Sequence, residues 1–286
     1  MSRIEIRLLL TDGERALAVG PHPDRARQDA EFLLRFALRV DKAWLLTRLR
    51  NTVSDEVQDY FNAMVRRRIA GEPIQYVTGE ADFFNMQFRV SPEVLIPRPE
   101  TELLVERVCQ FMPLFPKPRI ADVGTGSGAI AISIAHDWSH AAAITAIDLS
   151  AAALTIAKEN ATRIGFAKHI RFLEGDLLAP VGGERFEIIV SNPPYVPTTD
   201  RAQLSVEVRD YEPAVALFAG DDGLEIYRRL IPSAYAALVS GGYLALEIGF
   251  GQSPAIRKLL ADSGFEQIEF TSDLQAIPRV ACARRP

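Results

Sequence analysis

From Pro118 to the C-terminus, short apolar runs alternate with amphipathic stretches, and this rhythm constrains the fold more than any other feature of the chain. Strands are expected at 119–123, 143–147, 170–173, 186–190 and 243–248, with 265–271 and 279–283 closing the sheet. Helices are expected at 129–135, 151–164, 223–238 and 252–261. Strand-then-helix repetition makes successive strands parallel and puts helices on both faces of the sheet. The expected fold class is therefore α/β with a mainly parallel sheet. In open sheets of this kind ligands bind beyond the carboxyl ends of the strands. The residues that follow each strand are thus the first candidates for chemistry.

Three successive strand ends agree with one another. Ile120-Ala121-Asp122-Val123 runs into Gly124-Thr125-Gly126-Ser127-Gly128 and then into a helix. Glycines let that turn bend and let a ligand approach the backbone closely. Asp148 lies 20 residues beyond Gly128, at the end of the next strand, where an acid suits the two hydroxyls of a ribose. Asp176 ends the third strand, placed to accept from an adenine amino group, with Leu177 against the ring. A dinucleotide would use Gly124, Gly126 and Ala129, which fit the loose glycine pattern. S-adenosylmethionine carries an ammonium and a sulfonium and no diphosphate. Asp122 suits those cations and would repel a diphosphate, so S-adenosylmethionine is the expected cofactor. Taken singly, each acid also reads as a strand-end cap or a solvated turn residue.

The fourth strand end is the most distinctive. Phe186-Glu187-Ile188-Ile189-Val190 stops at Ser191-Asn192-Pro193-Pro194-Tyr195. A residue before proline is held extended, and proline has no N–H. The result is a stiff loop bearing an amide side chain, bare carbonyls and an aromatic ring, suited to holding a planar NH2 group. Asn192 and the Pro193 carbonyl are expected to accept its two N–H bonds, with Pro194 stiffening the turn and Tyr195 stacking on the amide plane. A proline-rich turn that merely ends a strand is the plain alternative.

Residues 1–71 read as a small helical domain, with helices over 24–38, 41–49 and 54–69 and Ser54 as the last helix's N-cap. Arg66-Arg67-Arg68 reads as a solvated helix end more readily than as a nucleic-acid patch. Residues 72–98 read as a β-hairpin connector, extended over Ile74–Gly79 and turning at Asn85-Met86. Pro99 suits the first turn of a helix reaching Phe111, and residues 99–286 form the main domain. The net charge of −5 argues against a general nucleic-acid binder. Two cysteines and four scattered histidines give neither a disulfide framework nor a metal-ligand spacing. The charged N-terminus does not fit a signal peptide, and no apolar run is long enough to span a membrane, so a cytoplasmic soluble protein is expected. A monomer is the expected state.

Asp122 with the Gly124–Gly128 turn, Asp148 and Asn192-Pro193-Pro194-Tyr195 together resemble class I S-adenosylmethionine-dependent methyltransferases, with their Rossmann-like fold. Gly71–Gly79, Phe83-Phe84, Leu95–Glu102, Tyr211-Glu212-Pro213, Leu217–Gly220 and Leu246–Gly249 resemble the HemK/PrmC family more narrowly. The resemblance covers nearly the whole chain. It implies methylation of the glutamine amide in the Gly-Gly-Gln motif of peptide chain release factors, with an N-terminal helical domain that helps recognise the factor. Arg98, Glu100 and Glu102 are then expected near the cofactor and substrate entrance, or else as a local ion-pair cluster. Asp273–Arg279 departs from the family, which has glycine near Ala276. Two rivals use the same residues: an adenine-N6 nucleic-acid methyltransferase, which would need a basic groove and a flipped base, and a cofactor-binding module without activity.

Overall fold

A computed structural model of the chain describes residues 4–138 and 143–286. The chain divides into two compact units, residues up to Glu80 with Leu204–Tyr211, and Ala81–Gln203 with Glu212–Pro286.

The first unit is helical: α1 (Ile6–Leu17), α2 (Ala26–Leu38), α3 (Lys42–Thr47), α4 (Asp55–Ile69) and α5 (Ile74–Thr78). Asp41 caps α3 by accepting from Trp44 N at 2.7 Å, and Ser54 caps α4 by accepting from Val57 N. Leu9, Ala30, Leu33, Leu34, Phe61 and Met64 form the shared core. Each fully buried large apolar side chain there contributes about 1.5–3 kcal/mol.

Two expectations are corrected in this unit. Ile74–Thr78 is helical, not extended. The Pro73 carbonyl accepts from both Tyr76 N and Val77 N, and Gly79 closes the turn at φ +78°. Burial of Val77 within this frame overrides its preference for a strand. The arginine run is a solvated helix end at Arg66 and Arg67 but not at Arg68. Arg68 is 2% exposed, donates to Asp29 at 2.6 Å and pairs with Glu207. Arg67 pairs with Glu72 and donates to the carbonyls of Tyr76 and Val77.

From Ala81 the second unit opens within a hairpin, β1 (Glu80–Phe83) and β2 (Met86–Arg89). Its turn residues Phe84 and Asn85 both have positive φ, as a two-residue hairpin requires. A 3₁₀ turn over Pro99–Thr101 leads into α6 (Glu102–Phe111). The alternating part follows as β3 (Arg119–Val123), α7 (Ala129–Asp137), β4 (Ala143–Asp148), α8 (Ala151–Ile164), β5 (Ile170–Glu174) and β6 (Phe186–Ser191). Helix α9 (Val206–Tyr211) belongs to the first unit. The chain ends with α10 (Glu225–Ala237), β7 (Leu238–Glu247), α11 (Ser253–Asp262), β8 (Glu266–Ser272) and β9 (Pro278–Arg284).

Among the described residues these strands form a seven-stranded sheet in the order β5-β4-β3-β6-β7-β9-β8. β9 runs antiparallel to both β7 and β8, and the other pairings are parallel. Side chains alternate across the sheet, so Ile120, Ile188 and Val190 join one core with α6 and α7. Ala121, Ile189 and Leu246 join the other, with α10 and α11. The order of connection reverses between β3 and β6, and Val123 is the register partner of Ser191. The glycine turn and the Asn192 loop therefore leave the sheet side by side at its topological switch point.

Ala276 has φ +61°, a left-handed conformation that an L side chain adopts at a cost of about 1–2 kcal/mol. Asp273 holds the turn by accepting from Gln275 N, Ile277 N and Arg279 Nε at 2.9, 3.0 and 2.9 Å. Ala276→Gly removes the strain and adds about 0.5–1 kcal/mol of chain entropy to the unfolded state. The net gain is expected to raise the melting temperature by about 1–3 °C. Calorimetry that found no rise would show that the turn is not strained.

Candidate active site

A cavity of about 380 Å³ lies at the carboxyl ends of β3, β4 and β5, lined by Gly124–Ser127, Asp148, Asp176, Leu177, Arg98, Thr101, Asn192 and Pro194. Gly124 and Gly126 have φ +75° and +55°, and a Cβ on either would meet nothing within 4 Å. The glycine backbone is bare towards a ligand, and positive φ excludes most other residues there. Gly124 N and Thr125 N both donate to the Ile147 carbonyl, at 2.8 and 3.0 Å, and Gly126 N donates to Asp148 Oδ2 at 2.8 Å. Asp148 Oδ1 accepts from Ser150 N at 2.9 Å. The carboxylate that faces the cavity thus also braces the turn.

Asp122 lies beneath that turn and is fully buried. Its Oδ2 accepts from the Thr125 hydroxyl at 2.6 Å and from Ala131 N at 3.2 Å. Its Oδ1 is buried with no hydrogen-bond partner among the described residues. Burial pushes the Asp122 carboxyl up to about 7, with nearby Asp148 adding to the effect and the two hydrogen bonds opposing it. Burial also raises the Asp148 carboxyl. A buried, half-satisfied carboxylate is costly unless a cation answers it. With Asp148 on the cavity wall and Asp122 buried behind it, the pocket is electronegative, which fits the ammonium and sulfonium of S-adenosylmethionine and disfavours a diphosphate.

On the third strand end, Leu177 has φ +50°, an outlier for a branched residue and a feature of ligand sites. Asp176 is exposed and paired with Arg229, a partner from α10 that no local pattern announces. Arg98 is not in a local cluster. Its guanidinium donates to both oxygens of Glu212, at 2.6 and 2.7 Å. Glu102 Oε1 accepts from Phe84 N at 2.8 Å and so pins the hairpin turn.

The Asn192 loop is built from both sides. Ser191 Oγ donates to the Val123 carbonyl at 2.6 Å. Asn192 Nδ2 donates to Thr101 Oγ1 at 3.1 Å, and Thr101 Oγ1 donates to Glu247 Oε2 at 2.6 Å. Tyr195 is turned from the cavity wall. Its hydroxyl donates to Glu247 Oε1 at 3.2 Å, and its ring packs on the core beneath α10 and α11. Burial, with the Glu247 charge adding to it, holds the Tyr195 phenol above its ordinary range. Gly223 makes room for the loop, because a Cβ there would sit 2.3 Å from the Tyr195 carbonyl oxygen. Thr101 and Glu247 received no role in the sequence reading. The signal for Glu247 is an acid closing the apolar run Leu244-Ala245-Leu246.

The sign of the Asp122 shift yields a test. Its carboxyl is raised in the folded state, so its contribution to stability is full below the ordinary carboxylate range. That contribution is lost as pH rises through about 7. Asp122→Asn removes this slope. Without cofactor, the variant is expected to melt higher than wild type at alkaline pH and about equal at acidic pH. Its affinity for S-adenosylmethionine is expected to fall by on the order of 1.5–3 kcal/mol. Unchanged affinity by calorimetry, or a parallel pH dependence of melting, would contradict the assignment.

Comparison with known proteins places this site in a family. Residues 9–79 match the PrmC N-terminal domain, and residues 99–208 match the methyltransferase small domain. The release factor glutamine methyltransferase of Moorella thermoacetica is 44% identical over 254 residues, covering 89% of each chain. That of Xylella fastidiosa is 43% identical over 260 residues, covering 91% of this chain and 94% of its own. That of Koribacter versatilis is 39% identical over 261 residues, covering 91% of each. Among solved structures, the catalytic domain of hMettl16 in complex with an RNA hairpin superposes with a TM-score of 0.57 at 15% identity, covering 81% of this chain and 82% of its own. A T. thermophilus 16S rRNA methyltransferase in complex with AdoMet and guanosine gives 0.52 at 20%, covering 72% of this chain and 50% of its own. At those identities the likeness concerns the class I methyltransferase fold alone. The sequence relatives carry the stronger statement: this chain belongs to the release factor glutamine methyltransferase family.

Proposed function

We propose that the protein transfers a methyl group from S-adenosylmethionine to the side-chain amide nitrogen of the glutamine in the Gly-Gly-Gln motif of peptide chain release factors. The observation that carries this reading is the match over 89% of both chains to a relative of that name, joined to an Asn-Pro-Pro-Tyr loop beside the glycine turn. S-adenosylmethionine, when bound, supplies an electrophilic methyl group. The remaining work falls to the chain's own residues.

An amide nitrogen is a poor nucleophile because its lone pair is delocalised into the carbonyl. Asn192 Oδ1 and the Pro193 carbonyl accept the two N–H bonds of the substrate amide. Charge then builds on its nitrogen, and the lone pair is aimed at the cofactor. Acceptors fixed in advance towards a nitrogen that becomes more positive stabilise the transition state. Alignment of donor and acceptor supplies much of the remaining acceleration. Pro194 lines the cavity and stiffens the turn, and Tyr195, moored to Glu247, holds its far end. The Tyr195 phenol stays protonated at neutral pH and does not serve as a base. The substrate proton leaves to water after transfer.

Asp122, the Gly124–Gly128 turn, Asp148, Asp176, Leu177 and Arg98 are the proposed cofactor-side residues. The helical first unit is proposed to hold the release factor, acting as a monomer in the cytoplasm. Among the described residues no helix is long and apolar enough to cross a membrane. The adenine-N6 reading has less support, because the sequence relatives are named for a protein substrate and the chain is net acidic.

Asn192→Ala tests the clamp. The residue sits in a loop, so the variant is expected to fold and to bind cofactor normally. Transfer of labelled methyl to a purified release factor is expected to fall about 100- to 1000-fold in kcat. Near-normal turnover would remove Asn192 from the chemistry. Labelling of DNA or RNA in place of the factor would overturn the substrate.

A further inference from the structure

We infer that Glu247, acting through the Thr101 hydroxyl, is the positioning residue that decides which end of the Asn192 carboxamide faces the substrate amide. The inference rests on the role of Asn192 proposed above. Thr101 and Asn192 line the cavity, whereas Glu247 is 2% exposed and does not. Glu247 therefore reaches the reaction only through a neighbour.

The geometry leaves little choice. A threonine hydroxyl has one proton and two acceptor positions. The Thr101 proton is given to Glu247 Oε2 at 2.6 Å. Its oxygen can then only accept from Asn192, which it does from Nδ2 at 3.1 Å. Holding the NH2 end of the carboxamide turns Asn192 Oδ1 away from Thr101 and leaves it as an acceptor. Were Thr101 to donate to Asn192 instead, the carboxamide would flip and present its NH2 to the substrate NH2, donor against donor. The other oxygen, Glu247 Oε1, accepts from the Tyr195 hydroxyl at 3.2 Å. One carboxylate thus secures both ends of the Asn192–Tyr195 loop. The Glu247 carbonyl is held in turn by the Tyr227 hydroxyl at 2.7 Å.

The groups facing Glu247 come from every element packed on it: Glu100 and Thr101 before α6, Tyr195 after β6, Tyr227 on α10 and Arg279 on β9. Burial pushes the Glu247 carboxyl up to about 7, with Glu100 adding to it, while Thr101, Tyr195 and Arg279 hold it down. When protonated, Glu247 becomes a donor and frees the Thr101 proton to turn towards Asn192. The orienting chain is therefore intact above about 7 and is lost as pH falls through that value. Asp122 titrates in the same range, but it acts on cofactor binding. Its effect appears in KM for S-adenosylmethionine, and that of Glu247 appears in kcat at saturating cofactor.

The test compares wild type with Thr101→Val, Thr101→Ser and Glu247→Gln. It uses the full chain, a purified release factor and S-adenosylmethionine across acidic to alkaline pH. Thr101→Val is expected to lose about 10- to 100-fold in kcat. Its KM for cofactor should stay near wild type, and its melting temperature should fall by no more than the few degrees that loss of one buried hydrogen bond costs. The acidic limb of its kcat profile should vanish, because protonation of Glu247 is no longer relayed. Glu247→Gln should lose the same limb, and Thr101→Ser should restore both rate and limb. Retention of kcat by Thr101→Val, survival of the limb in it, or a matching loss of cofactor affinity and melting temperature would each overturn the inference. If wild type itself fails to methylate the factor, the substrate assignment falls first and takes this role with it. An active wild type with an unaffected Thr101→Val removes this role alone.

Discussion

The chemistry of this protein depends on one register: Ser191 beside Val123, where β6 meets β3. The Ser191 hydroxyl fastens the pair by donating to the Val123 carbonyl at 2.6 Å. Past this point one chain turns into the glycine loop and the other into Asn-Pro-Pro-Tyr. A parallel sheet whose connections reverse at one place opens a crevice there without any further device. Donor and acceptor sites are thereby adjacent because two strands are adjacent. Slipping the register by one residue would turn β6 over and exchange the side chains that fill the two cores, so close packing on both faces enforces the register.

The same edge carries an electrostatic cost. Asp122 and Glu247 are fully buried carboxylates, each pushed up to about 7 by loss of water. A core would be more stable with apolar groups of similar size in their place. They stand on opposite sides of the switch point, on β3 and β7, and face different tasks. Asp122 keeps one oxygen without a partner under the glycine turn, whereas Glu247 has both oxygens occupied, by the hydroxyls of Thr101 before α6 and of Tyr195 in the Asn192 loop. In the reading proposed above, Asp122 answers a cofactor cation and Glu247 orients Asn192. Perturbed acids of this kind gather where function is, and here they mark its two halves.

Legibility in the sequence followed the range of the interactions. Helix α8, the Ser54 cap of α4 and the apolar strands β3 and β6 are set by neighbours in the chain, and local patterns revealed them. The glycine turn, Asp148 and Asn192 were visible because each follows a recognisable strand. Helix α5 was misread as extended because Ile74, Val77 and Thr78 are β-branched, while Pro73, Gly79 and burial decide its conformation. Arg68 looked solvated because Asp29 and Glu207, the acids that bury it, lie far away in the chain. The Thr101–Glu247 bond spans 146 residues and the Arg98–Glu212 pair 114. No window of sequence contains either bond, so these contacts appeared only with the fold.

The central claim is that the crevice between the glycine turn and Asn192 delivers a methyl group to a planar amide nitrogen. Tandem mass spectrometry of a release factor treated with the enzyme and S-adenosylmethionine tests it most directly. The account predicts one added methyl group, on the side-chain nitrogen of the glutamine between its glycines and the next residue, and none elsewhere on the factor. A methyl group on a carboxylate, a lysine or a backbone nitrogen, with the glutamine amide unmodified, would contradict it.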